Sequence, residues 1–155
     1  RVSMKDYYEF ITRQLGPKMS KKAVELLIGK LPAGAHPHHS FHVLDVSMRT
    51  GAFKESIDDM DKCRISWGEV ARIEGDELVV NYRPLILEDG KMALGEPTER
   101  RARYLVQGRG YLDMPLPGEM VSMHWNWVCD RLTPRQAAVL ESQTNHHLAI
   151  ANLTI

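Results

Sequence analysis

The stretch Lys62-Cys63-Arg64-Ile65-Ser66-Trp67-Gly68-Glu69-Val70 divides the chain into two textures. Before it, apolar residues recur every three or four positions, the period of an amphipathic helix. After it, Ile65 and Trp67 alternate with polar residues, Gly68 breaks the parity, and Val70 and Ile73 resume it, the pattern of a bulged or sharply curved strand. Cys63, one of only two cysteines, stands at the junction. Lys62 and Arg64 flank it, and nearby positive charge lowers a thiol's pKa and favours the nucleophilic, metal-binding thiolate. An isolated cysteine is more often a small buried apolar residue.

Toward the N-terminus, Tyr7, Phe10, Ile11 and Leu15 predict a helix from Asp6 to Leu15 that Gly16-Pro17 stops. Ser20 caps a second helix whose core side carries Ala23, Val24, Leu26, Leu27 and Leu31. His36-Pro37-His38-His39-Ser40-Phe41-His42 then gathers four of the seven histidines. If residues 38–48 are helical, His38 and His42 share a face at i and i+4, a spacing by which two imidazoles can hold one metal, with His39 beside them. The bland alternative is a helix start whose imidazoles bond to backbone or water. A short helix from about Glu55 to Lys62 delivers Cys63 at its end.

Toward the C-terminus, Gly75-Asp76 predicts a turn, residues 78–87 a β-rich run broken at Pro84, and Asp89-Gly90 a hairpin. Met92 to Leu94 and Arg103 to Val106 read as further short strands. In residues 120–129, period two puts Val121, Met123, Trp125, Trp127 and Cys129 on a core face, and presents His124 beside Asn126 on the polar face. Thr133-Pro134-Arg135-Gln136 is a helix start with a capping box, and the helix runs to about Ala151. His146 and His147 near its end read as structural, where the helix dipole favours positive charge.

The expected class is α+β: a helical segment over residues 1–61, a small OB-like β-barrel over 62–132, and a C-terminal helix over 133–155 packed on the barrel. With 155 residues, 43% of them hydrophobic, the chain can bury its own core. Twenty basic against twenty acidic residues give no net field to gather nucleic acid or an anionic membrane. Arg100, Arg101, Arg103 and Arg109 form a local basic patch, read as a solvated strand face. Two cysteines, no visible secretory leader and no apolar run long enough to span a bilayer point to the cytoplasm. No Walker or dinucleotide loop and no nucleophile-base constellation is present, so a non-enzymatic role is expected, with no catalytic residues.

Cys63, then Gly68-x-Val70, then Gly118-Glu119-Met120-Val121-Ser122-Met123-His124 and a helix after Leu132 resemble the HypC-type hydrogenase-assembly chaperones over about residues 62–145. The whole chain, including Pro37 to Val43 and Trp125 to Pro134, also resembles an uncharacterised bacterial and archaeal family often encoded near nickel-iron hydrogenases. The first resemblance implies a HypC-like barrel that carries iron transiently, with an assembly scaffold protein and the hydrogenase large-subunit precursor as partners. It implies Cys63 and His124 as the pair that holds the iron centre. Thiolate suits a low-valent iron fragment and imidazole is a common iron ligand. Lys62, Arg64 and Asn126 would support the site. Two departures stand out: Cys63 is internal rather than next to an initiator Met, and Trp67 replaces the proline that precedes the motif glycine. The alternatives are a histidine-rich metalloprotein, with zinc at His38, His42, Cys63 and His124 and with His39 as a further candidate ligand, and a protein or nucleic-acid interaction module without metal.

Overall fold

The computed structural model describes residues 2–50, 56–110 and 112–155. Helix α1 (Met4–Phe10) starts at Ser3, whose hydroxyl accepts from the Asp6 amide while the Asp6 carboxylate accepts from the Ser3 amide. This reciprocal cap satisfies two of the amides that a helix start leaves without partners. The chain continues through a wide π turn at Ile11–Leu15 and a tight turn at Gly16–Lys18 into α2 (Lys21–Gly29), capped by Ser20. A second helical run comprises α3 (His39–Phe41), a π turn at His42–Val46, and α4 (Ser47–Thr50). Helix α5 (Ile57–Cys63) opens at Ser56, whose hydroxyl accepts from the Asp59 amide. Gly51, the expected helix start at Glu55 and Tyr111 lie outside the described residues.

Strands β1 (Ser66–Glu74) and β2 (Glu77–Tyr82) follow, then a hairpin of β3 (Leu85–Glu88) and β4 (Lys91–Leu94), then β5 (Thr98–Arg103), β6 (Met120–His124) and β7 (Trp127–Leu132). The barrel closes in the order β1-β2-β5-β7-β6, with β1 pairing β2 on one side and β6 on the other. A bulge between Val70 and Arg72 lets the long β1 curve round to serve both neighbours. At Gly68 a Cβ would come within 2.1 Å of the Asn81 carbonyl oxygen, so only glycine permits this strand approach. The β3-β4 hairpin turns at Asp89-Gly90, both at positive φ as a tight two-residue turn requires.

Val70, Leu78, Val80, Val121, Met123 and Val128 fill the barrel. A second core, with Tyr7, Ile11, Leu27, Phe41 and Val46, receives Ile150 from the last helix, α6 (Pro134–Ala151). A third, at the junction, joins Val43, Leu44 and Met60 to Leu85 and Met92 of the hairpin and to Leu148 and Ala151 of α6. Two ionic knots are buried with these cores. Lys30, 2% exposed, reaches Asp45 at 2.5 Å and the Ala151 carbonyl at 3.2 Å, while Arg49 holds the other Asp45 oxygen. Asp61 accepts from Arg64 at 2.9 Å, from the Leu85 amide at 2.8 Å and from the Tyr82 hydroxyl at 3.0 Å.

Three local expectations need revision. Residues 120–129 are not one strand: β6 ends at His124, Trp125-Asn126 turn, and β7 starts at Trp127, so Trp125, Trp127 and Cys129 are exposed. The strand expected over 103–106 lies earlier, over Thr98–Arg103, where Ala102 alone is fully buried and the polar sequence hides the strand. Helix α6 turns its buried residues Thr144, His147, Leu148, Ile150 and Ala151 chiefly toward the helical half, and its first turns run along β7. Among the described residues no helix is long and apolar enough to cross a membrane.

Candidate metal centre

Cys63 ends α5, where the Arg64 amide caps the helix by donating to the Met60 carbonyl at 2.9 Å. The side chain is half-buried against the junction core. His124 ends β6, and the next amide, Trp125 N–H, donates to the Lys62 carbonyl at 2.6 Å. His39, the first residue of α3, sets its Nε2 2.8 Å from the Cys63 carbonyl. The last two of these bonds pull β6 and α3 onto the end of α5. One ligand atom from each of His39, Cys63 and His124 therefore lies within 4.8 Å of the other two.

The hydrogen bonds assign tautomers. A carbonyl only accepts, so His39 Nε2 carries the hydrogen, and in the neutral ring Nδ1 keeps a free lone pair. His124 Nε2 is buried and makes no hydrogen bond, a costly state for a polar atom unless something else binds it. Burial pushes the His124 imidazole below its ordinary pKa, the charge of a protonated His39 would push it further the same way, and the neighbouring Cys63 backbone opposes part of the shift. The ring is therefore neutral at pH 7, the form that ligates metal.

The flanking cations do not activate the thiol. Burial pushes the Cys63 pKa up, not down. Lys62 is paired with Asp58 one helical turn away, and Arg64 is buried, facing Asp61 and the Arg83 carbonyl at 2.6 Å. Lys62 and Arg64 flank the thiol in sequence but do not lower its pKa. A metal ion at this site would have to displace the thiol proton.

The remaining candidates are placed differently. His38 Nδ1 caps α3 by accepting from the Ser40 amide at 3.2 Å, and His42 is exposed within the π turn. Both line a surface pocket of about 250 Å³ with Tyr7 and Phe10, and neither belongs to a metal-competent group among the described residues. Asn126 lies in the turn after His124 and accepts weakly from Arg100 at 3.5 Å. The basic patch is internally neutralised in large part: Arg101 pairs with Glu74 and Glu77, Arg100 faces Asp61, and Arg103 lies over the Trp127 ring. His147, expected to favour positive charge, is fully buried, and burial pushes its pKa down to about 3.

The profile of a family described as a family of unknown function, DUF6390, matches residues 1–155. The chain belongs to DUF6390. No curated protein and no solved structure matches it. The DUF6390 description carries no activity, so the chemistry of this member has to be argued from its own side chains. Among the described residues of this DUF6390 chain, the junction group is the metal-competent group that offers sulfur and imidazole together.

Proposed function

We propose that this protein binds a transition-metal centre through Cys63, His124 and His39 and acts as a non-enzymatic accessory in nickel-iron hydrogenase assembly. The observation that carries the metal reading is the His124 imidazole, whose Nε2 is buried without a hydrogen-bond partner on a ring that brings a nitrogen within 4.8 Å of the Cys63 sulfur and of a His39 nitrogen. One thiolate and two imidazoles suit iron, and would also take zinc. Three protein ligands leave a coordination position open, as a site that must receive and release its cargo requires.

The hydrogenase context rests on the order of the motif residues Cys63, Gly68, Val70 and His124, which the HypC-type chaperones share. The closed five-stranded barrel with a following helix supports the likeness, as does the antiparallel pairing broken only where β5 meets β7 in parallel. That strand order, taken without the β3-β4 hairpin, is the order expected of an OB-like barrel. The added His39 supplies a further fixed donor beside Cys63, which is internal where those chaperones carry their cysteine next to the initiator Met.

Iron content of anaerobically purified protein, compared with Cys63→Ala and His124→Ala, tests the metal reading. Co-purification with a hydrogenase large-subunit precursor tests the context. Iron that falls in both variants, together with a precursor complex, supports the proposal. Equal metal content in all three proteins removes the ligand roles, and a precursor that never co-purifies removes the assembly role.

A further inference from the structure

A second set of histidines meets on the other side of α3. His36 from the loop after α2, and His146 and His147 from α6, each bring a ring nitrogen within 4.8 Å of the other two. The rings are in mutual contact, with centroids of His36 and His147 4.6 Å apart and those of His36 and His146 5.6 Å apart.

The hydrogen bonds around Ser40 decide which nitrogen of His147 is free. The Ser40 amide donates to His38 Nδ1 at 3.2 Å, so that nitrogen holds a lone pair. The Ser40 hydroxyl lies 2.7 Å from the same nitrogen and must give its one hydrogen there. It can then only accept from His147 Nδ1, 2.6 Å away. His147 is therefore the Nδ1–H tautomer, and its Nε2 lone pair is fully buried with no hydrogen-bond partner. An imidazole with one nitrogen donating to a fixed oxygen and the other bare is the arrangement that second-sphere partners impose on metal-binding histidines.

The neighbours repeat the pattern. The Gly34 carbonyl accepts from His36 Nδ1 at 2.9 Å and from His146 Nε2 at 3.0 Å, which leaves His36 Nε2 and His146 Nδ1 as the lone-pair nitrogens of the neutral rings. Gly34 sits at φ +95°, and a Cβ there would come within 3.1 Å of His146, so glycine admits the ring. His36 Nε2 lies 2.8 Å from Gln143 Oε1, and since an oxygen only accepts, the lone pair on Nε2 requires the Gln143 amide to turn its NH2 group to the ring, a contact that a metal ion would displace. A tetrahedral ion at about 2.0–2.1 Å from each nitrogen needs nitrogens about 3.4 Å apart, so exposed His146 and half-buried His36 must turn inward slightly.

We propose that His36, His146 and His147 form a metal site separate from the Cys63 centre, taking a zinc-like divalent cation through three imidazoles. Ser40 and the Gly34 carbonyl are its positioning groups. The fourth position faces solvent beside exposed His146, where water completes the shell.

Zinc titration of the full chain carrying Cys63→Ala and His124→Ala isolates this site from the first. One zinc per chain is expected to remain bound. Adding His146→Ala should weaken it by tenfold or more, and adding Ser40→Ala instead should weaken it by about 10- to 100-fold. No zinc in the starting variant, or an affinity indifferent to His146→Ala, overturns the proposal. Long-range proton-nitrogen spectra of the wild-type chain give a reading that no substitution can disturb. The expected result is His147 protonated at Nδ1, with an Nε2 resonance that moves on adding zinc. A hydrogen on Nε2, or a resonance unmoved at saturating zinc, overturns the proposal. Failure of the Cys63 centre leaves both readouts standing.

Discussion

The backbone amide of Trp125 donates to the carbonyl of Lys62 at 2.6 Å, so the tip of the β6-β7 hairpin is tied to the last turn of α5. His124 and Cys63 are the sequence neighbours of these two groups, and the bond sets their separation. Trp125 takes φ +53°, an uncommon conformation for a bulky residue, with a cost of the order of 1–3 kcal/mol. Trp125→Gly keeps the donor and relieves the strain. It should leave metal binding intact and raise stability by up to about 1 kcal/mol. Trp125→Pro removes the donor and cannot hold that φ, and should lower metal affinity by at least tenfold together with the melting temperature. Thermal unfolding and metal titration of the two variants check both expectations.

Asp45 is the hub of the buried knot in the helical half, with Lys30 on one oxygen and Arg49 on the other, each at 2.5 Å. Burial pushes the Lys30 pKa down, while its hydrogen bond to Asp45 opposes the shift. Asp45→Asn strands a buried ammonium and should cost about 3–5 kcal/mol in urea unfolding. Lys30→Met combined with Asp45→Leu should recover at least half of that loss, because position 30 then carries no buried charge while the part-exposed Arg49 keeps its bond to the Thr154 hydroxyl.

Stability should fall on acidification. The His147 pKa is about 3 in the fold against an ordinary 6.5, so below pH 6.5 the unfolded chain binds a proton that the folded chain refuses. The contribution is complete above pH 6.5 and is lost as pH drops toward 3. Burial shifts His38 and His124 in the same direction. In chelator, unfolding free energy should drop by about 2–3 kcal/mol between pH 7 and pH 4.5 on account of His147. A His147→Phe variant should show a correspondingly shallower slope.

The change of texture at Cys63, strands β1 and β2, the β3-β4 hairpin and the capped helices were legible because each has a local cause: apolar period, a Ser or Thr cap, or an Asp-Gly turn, whereas the polar sequence of β5 hid it. The hairpin at Trp125-Asn126 was not, because period two runs straight through a turn whose first residue breaks the usual glycine preference. Pairing His38 with His42 assumed that His38 lies inside the helix, whereas it is the extended N-cap of α3 and turns its Nδ1 to the Ser40 amide. His39 became the third member of the junction group only through its bond to the Cys63 carbonyl. Charge beside Cys63 in sequence misled about its thiol, since Arg64 turns inward to Asp61. The His36, His146 and His147 group joins a loop to a helix more than a hundred residues away, a contact that no local pattern announces.

Cobalt substitution tests the junction centre most directly, since a thiolate bound to cobalt gives a charge-transfer absorption that imidazole alone does not. Wild-type protein should show that band, Cys63→Ser should abolish it, His124→Ala should weaken or shift it, and Cys129→Ser should leave it unchanged. A band absent from the wild type, or one that survives Cys63→Ser and disappears with Cys129→Ser, contradicts a metal centre at Cys63.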